Sequence, residues 1–210
     1  MNDEHLIVFV KTPRPGTVKT RLGLGAAAES LAYQQLVDTV LAKLGDFPGV
    51  ELRFAPADAE HEIRAWLRPG WSAAAQSAGD LGQRLMDAFG QALCGGARRV
   101  VIVGSDCPYL DREDIREAWA QLKTCDLVLG PAEDGGYWLI GLRQNQPGLF
   151  ENIAWSSWSV FTETMARAKA LGLKSFLLRT LSDVDTRDDW ERFIAAEALS
   201  EIQRQLPIAD

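Results

Sequence analysis

An α/β fold with a mostly parallel central sheet and helices on both faces is the class this sequence predicts, on three observations. Short apolar runs alternate along the chain with longer segments of helical period. The apolar runs are continuous, as strands buried on both faces require. Polar motifs rich in glycine and proline follow those runs, where an open α/β sheet presents the carboxyl ends of its strands to a ligand.

The elements follow in order. Leu6–Val10 is a short, wholly apolar run that suits a buried first strand. KTPRPGTVKTRLGLG comes next, and its prolines and glycines make it a loop. Ala26–Leu44 reads as a helix, with Leu31, Leu36, Val40, Leu41 and Leu44 near one face. Val50–Ala55 is a second strand, Ala59–Leu67 a short helix, and Ser72–Gln76 a weak strand before the break at Gly79. Leu81–Cys94 is helical and is stopped by Gly95-Gly96. Arg99–Val103 is the central strand, and Asp111 stands where it caps a helix over Arg112–Lys123. Leu127–Gly130 and Tyr137–Leu142 are strands connected through Glu133-Asp134-Gly135-Gly136. Helix Val160–Leu171, strand Ser175–Leu178 and helix Arg187–Gln205 complete the chain. Without a repeat or linker, residues 1–210 are expected to form one domain.

Composition excludes several functions. With 47% apolar and 24% charged residues, the chain is an ordinary globule. A net charge of -7 argues against a general nucleic-acid binder, yet a few local cations suffice to hold a nucleotide. Cys94, Cys107 and Cys125 are odd in number and lack CxxC spacing, so neither a disulfide framework nor a zinc knuckle is expected. The acids of MNDEHLIVFVK do not suit a signal peptide, and no run approaches the roughly 20 apolar residues of a membrane span. A cytoplasmic address is the resulting expectation. His5 precedes the first strand and His61 lies in a charged stretch, which leaves histidine-based nucleophilic catalysis few candidates.

The first loop carries Lys11, Arg14, Lys19 and Arg21 around Pro13, Pro15 and Gly16, a plausible polyphosphate cradle that is not a Walker P-loop. Gly23, Gly25 and Ala28 fit a dinucleotide fingerprint in spacing but start too far beyond the first strand. In AQSAGDLGQRL, Gln76, Gly79, Asp80 and Arg84 meet a helix N-terminus: Gln76 suits a base edge and Arg84 a phosphate, while Asp80 also suits a plain N-cap. Asp106 follows the central strand in VGSDCP, a position from which one carboxylate can hold a magnesium ion completed by water and phosphate oxygens. Asp183 and Asp185 in DVDTRDDW face one side of an extended backbone, and Thr186 with Asp189 suits a capping box. PAEDGGYWLIG sets Asp134 before Gly135, Gly136 and Tyr137, glycines for close approach and an aromatic face for a sugar ring. Trp155, Ser156 and Trp158 suit a loop over the acceptor, although core packing explains either tryptophan equally well.

Taken together, KTPRPGTVKTRL, QSAGDLGQRL, VGSDCPYL, LGPAEDGGYWLIG and DVDTRDDW resemble the DUF2064 family, assigned as glycosyltransferases of the nucleotide-diphospho-sugar transferase superfamily. VKTPRPGTVKTRL is also similar to the opening of the 2-phospholactate guanylyltransferases. The resemblance implies a Rossmann-like glycosyltransferase-A fold, a nucleotide over the first half of the sheet, and a divalent metal, Mg²⁺ or Mn²⁺. It implies Asp106 as a metal ligand, Asp185 as a second, and Lys11, Lys19 and Arg21 as phosphate contacts. Where many glycosyltransferases carry Asp-x-Asp, this chain reads Ser105-Asp106-Cys107, closer to the nucleotidyltransferase pattern.

Two transfers are therefore open: glycosyl transfer from an NDP-sugar, which the resemblance favours, or, as the alternative, nucleotidyl transfer from an NTP to a phosphorylated small molecule with pyrophosphate release. Asp134 is the expected general base in either. A nucleotide-binding protein without catalysis is a third class. The expected partners are a nucleotide donor and a small-molecule acceptor.

Overall fold

The first apolar run becomes strand β1, Glu4–Lys11, in which Ile7 and Val8 are fully buried on opposite faces. The computed structural model describes residues 3–205. Beyond β1, the strands are β2 Glu51–Ala55, β3 Ser72–Ala75, β4 Arg99–Gly104, β5 Leu127–Pro131, β6 Tyr137–Leu142 and β7 Ser175–Leu177. Among the described residues these form one sheet of seven strands, ordered β3-β2-β1-β4-β6-β5-β7. All neighbours pair in parallel except at β6, which runs antiparallel to both β4 and β5.

Helices cover both faces, as expected. Leu6, Val8 and Val10 join residues of α1 (Ala26–Lys43) and α4 (Arg112–Gln121) in one core. Ile7, Val100 and Ile102 join α3 (Leu81–Cys94) and α5 (Val160–Ala170) in the other. Burying each such aliphatic side chain stabilises the fold by about 1.5–3 kcal/mol. Helix α6, Arg187–Gln205, docks through Phe193 against Val184 and Leu36 of α1. None of the helices among the described residues is long and apolar enough to cross a membrane.

Two local expectations are corrected. Leu31 does not join the buried face of α1 but is 68% exposed, because Tyr33, Val37, Val40 and Leu41 already fill the seam against the sheet and Leu36 fills the one against α6. The Ala59–Leu67 helix is instead one α turn, α2 (Glu60–Ile63), between 3-10 turns Ala57–Ala59 and Arg64–Trp66. The caps hold: Asp111 and Asp114 form a capping box on α4, and Thr186 with Asp189 closes the start of α6.

Parallel β1 and β4 finish at the same edge of the sheet, and the reversed β6 begins there. The loops after Val10, Val103 and Gly130 therefore gather at one place, as the strand order of the sequence predicts.

Candidate functional site

The centre of that edge is a cation shared by two acids. Lys19 Nζ lies 2.9 Å from Asp106 Oδ1 and 2.8 Å from Asp185 Oδ1, and the lysine side chain is only 6% exposed. Burial alone would lower the pKa of this ammonium, but the charges of Asp106 and Asp185 outweigh burial and raise it. The backbone of Lys19 is left-handed, at φ 51°. A non-glycine residue rarely adopts that conformation without a local demand for it. Arg21 adds a second ion pair to Asp185.

Backbone bonds set the acids. Val184 N–H donates to the Asp106 carbonyl at 2.9 Å. Because Val184 is fully buried, its neighbours Asp183 and Asp185 are turned toward Asp106. The Tyr33 hydroxyl joins the ends of β1 and β4: Lys11 N–H donates to it at 2.7 Å, and it lies 2.8 Å from Ser105 Oγ. Burial and the nearby Asp106 charge push the Tyr33 phenol above its ordinary pKa, so it stays neutral in that bridge.

Asp106 borders three spaces. An inner cavity of about 420 Å³ extends between the ends of β1, β4 and β6 and includes Lys11, Gln76, Arg84 and Tyr137. A basic pocket of about 210 Å³ is formed with Lys11, Lys19 and Arg21. A wider cleft of about 820 Å³ holds Glu133, Asp134, Asp183 and Asp185 beside Trp155 and Trp158.

The structure thus brings Lys11, Lys19, Arg21, Asp106 and Asp185 together, with Asp134, Gly136, Tyr137 and Trp155 along the wide cleft. Pro15 and Gly16 form the exposed tip of the first loop and line none of these three spaces. Arg14 is corrected: it turns away from the cradle to pair with Glu62 and Asp58. Gln76 is largely committed to the protein, its amide donating to Arg53 O and Val10 O and its oxygen accepting from Arg84. Arg84 also donates to Gly79 O at 3.1 Å, and Asp80 caps α3 through Gln83 N–H at 2.9 Å without lining the cavities. Asp80 is thus an N-cap in this fold. Tyr137 offers its ring to the cleft while its hydroxyl is buried near Thr164.

Gly135 explains how the cleft is walled. At φ +87°, a Cβ there would stand 2.0 Å from the backbone oxygen of Trp158, so only glycine lets the two segments meet. Phe161 N–H then donates to Gly135 O at 2.8 Å and locks the contact. The Trp155 indole similarly packs on Gly82 of α3, where a Cβ would stand 2.7 Å from its nitrogen.

Sequence reasoning undervalued Asp183. It lines both the inner cavity and the wide cleft, and its pKa is pushed up to about 7 by burial and then by the charges of Asp106 and Asp134. The alternation Asp183, Val184, Asp185 around a buried valine is the signal that marks it. Tyr33 gave no such signal, because a helical tyrosine reads as core. Burial and the Asp183 charge push the Cys107 thiol up to about 12, consistent with a packing role.

Among the described residues no three Asp, Glu, His or Cys side chains form a metal cage. The donors nevertheless fit a divalent ion of the magnesium type. Two carboxylates already share one cation and both are partly exposed; a metal would replace an ion pair at Asp185, whose two oxygens meet Lys19 and Arg21, and such ions keep water and take substrate oxygens.

Comparison with known proteins agrees with this fold. A crystal structure from Desulfovibrio desulfuricans G20, assigned as a nucleotide-diphospho-sugar transferase, is 36% identical, with a TM-score of 0.83 over 89% of this chain and 84% of that one. The CMP:2-keto-3-deoxy-manno-octonic acid synthetase complexed with CTP shares the fold at 9% identity, with a TM-score of 0.61 over 94% of this chain and 99% of its own. Rv0371c of Mycobacterium tuberculosis H37Rv, in complex with manganese, does so at 14% identity and a TM-score of 0.52, covering 92% and 98%. No curated protein matches the chain. The family described as "Uncharacterized protein conserved in bacteria (DUF2064)" matches residues 38–157, more than half of the sequence. By that match, and by its likeness to the Desulfovibrio protein, the chain belongs to the DUF2064 family.

Proposed function

We propose that the protein is a metal-dependent transferase using a nucleotide-activated donor, and that the donor is an NDP-sugar whose glycosyl group passes to an acceptor hydroxyl. The observation that carries this reading is the position of Asp106, at the meeting of a basic pocket, an inner cavity and an acid-lined cleft. Asp106 and Asp185 would hold Mg²⁺ or Mn²⁺, which when bound would draw charge from the leaving diphosphate. Lys11, Lys19 and Arg21 hold the phosphates, and Arg84 borders the inner cavity where the nucleoside is accommodated. Asp134 faces the wide cleft with Oδ1 accepting from Gly136 N–H at 2.8 Å, which leaves Oδ2 to accept the acceptor's hydroxyl proton. Names of similar proteins support the coarser reading, a transferase that uses a nucleotide: one is assigned as a nucleotide-diphospho-sugar transferase, and another is a synthetase complexed with CTP, a triphosphate that suits the second reading below.

Nucleotidyl transfer to a phosphorylated acceptor is the second reading. Three cations around the basic pocket suit a triphosphate, and Asp106 lacks a partner acid two positions away. A thermal-shift series with NTPs and NDP-sugars, with and without Mg²⁺ or Mn²⁺, tests the proposal. NDP-sugars should raise the melting temperature in a metal-dependent way. Stabilisation by NTPs alone, with pyrophosphate release on adding sugar phosphates, would replace glycosyl with nucleotidyl transfer. No shift with any nucleotide would overturn both.

A further inference from the structure

Resting on the transferase reading, we infer that the wide cleft takes an uncharged carbohydrate as acceptor and rejects its phosphate ester, with Trp158 as a specificity-determining residue. The cleft has two unlike kinds of lining. Leu81, Trp155 and Trp158 supply apolar lining, and Glu133 and Asp134 supply carboxylates. A sugar ring has the same two characters, an apolar CH face and a rim of hydroxyl donors. Aromatic rings cover the former. Ionised carboxylates only accept hydrogen bonds and so read the latter.

The apolar lining is prepared before any ligand arrives. The Trp158 side chain is 80% exposed beside the cleft, yet its backbone is seated on Gly135, as the 2.0 Å approach to a hypothetical Cβ shows. Ser157 Oγ lies 2.8 Å from Ser159 Oγ, and Ser159 Oγ donates to Glu163 at 2.6 Å, which braces the loop. With the backbone of this loop already held, less conformational freedom is lost when a ring stacks on the solvated indole.

The carboxylates are fixed as well. Glu133 accepts from Ser182 Oγ at 2.5 Å and Asp134 accepts from Gly136 N–H at 2.8 Å. Arg21 lines the cleft too, but it is paired with Asp185. A phosphate monoester brought to these carboxylates would face like charges, which act against a wrong partner.

The test is saturation-transfer NMR and tryptophan fluorescence with methyl hexosides, disaccharides and the 6-phosphates of the same hexoses. Nucleotide binding is measured separately by thermal shift. At least one uncharged carbohydrate should bind, and its phosphate ester should bind about tenfold more weakly or worse. Trp158→Ala should weaken the carbohydrate about threefold to tenfold, the loss of one ring contact, with nucleotide binding unchanged. Glu133→Gln should narrow the discrimination against the ester. Esters that bind as well as the free sugars, no carbohydrate binding at all, or unchanged carbohydrate affinity in Trp158→Ala would each overturn the inference. Carbohydrate binding without nucleotide binding would support it while removing the donor reading.

Discussion

Val184 donates its backbone N–H to the carbonyl of Asp106 at 2.9 Å. This single bond carries the segment before α6 across to the exit of the central strand, so that acids distant in sequence face one another. It is a main-chain bond, and the Asp106 side chain can be changed without losing it. Asp106→Asn should therefore fold with a near-normal melting temperature but bind nucleotide without metal dependence. Removing even an outer-shell partner of a metal ligand costs about 10–100-fold in affinity. Titration calorimetry with Mg²⁺ should show at least that loss, and unchanged affinity would contradict the assignment.

Lys19 combines charge with an unusual backbone. Lys19→Ala and Lys19→Gly both remove the ammonium that bridges Asp106 and Asp185, and both should lose nucleotide affinity alike. They should differ in stability, because only glycine adopts φ 51° without steric cost. Urea melts should place the glycine variant about 1 kcal/mol above the alanine variant.

Tyr33→Phe leaves the Lys11 N–H and the Ser105 hydroxyl without their buried partner. An unmet buried group costs about 1–3 kcal/mol. The variant should melt lower by that amount and bind nucleotide several-fold more weakly, since the tyrosine spaces the two strand ends that carry Lys11 and Asp106. Nucleotide affinity equal to wild type would remove that spacing role.

Gly135→Ala should destabilise the fold by at least about 1 kcal/mol, both from positive φ and from the collision with Trp158 O. The same change should alter tryptophan fluorescence, because the loop bearing Trp155 and Trp158 must move. Differential scanning calorimetry and emission spectra check the two effects independently.

Asp126 supplies a pH dependence away from the site. It accepts Lys174 N–H at 2.9 Å and pairs with Arg143, tying β5 to the residue before β7. The Lys174 backbone bond lowers its pKa against the effect of burial, and Arg143 lowers it further. Its stabilisation is therefore complete above the ordinary aspartate pKa of about 3.9 and is lost as pH falls through the depressed folded value. Asp126→Asn should be about 1–3 kcal/mol less stable than wild type at pH 7 and converge on it as the pH falls through the depressed folded value. A gap that persists in acid would show that the carboxylate charge is not the source.

Most of the architecture was legible because the strands are short, continuous and apolar, and because α3 and α4 keep a clear helical period. Asp106, Asp134 and Asp185 were legible as acids standing where strands or extended segments end. Leu31 was misjudged because period alone does not say how many residues a seam can hold. Arg14 was misjudged because loop composition does not reveal which acids lie beside it, and Asp58 and Glu62 reach it from another element. The role of Lys19 as a shared counter-ion depends on contacts to residues far along the chain, which no local pattern records.

The reversal of β6 has a consequence for how this family can vary. The parallel strands each touch the ligand edge once, at their ends, and β5 with β6 forms a hairpin whose tip projects there. Side-chain changes at Glu133 and Asp134 on that tip would remodel the wide cleft while leaving the basic pocket, lined by other segments, untouched. Under the proposed transferase reading, one half of the molecule is free to diversify in what it modifies while the other keeps a constant donor, much as interchangeable heads fit a single handle.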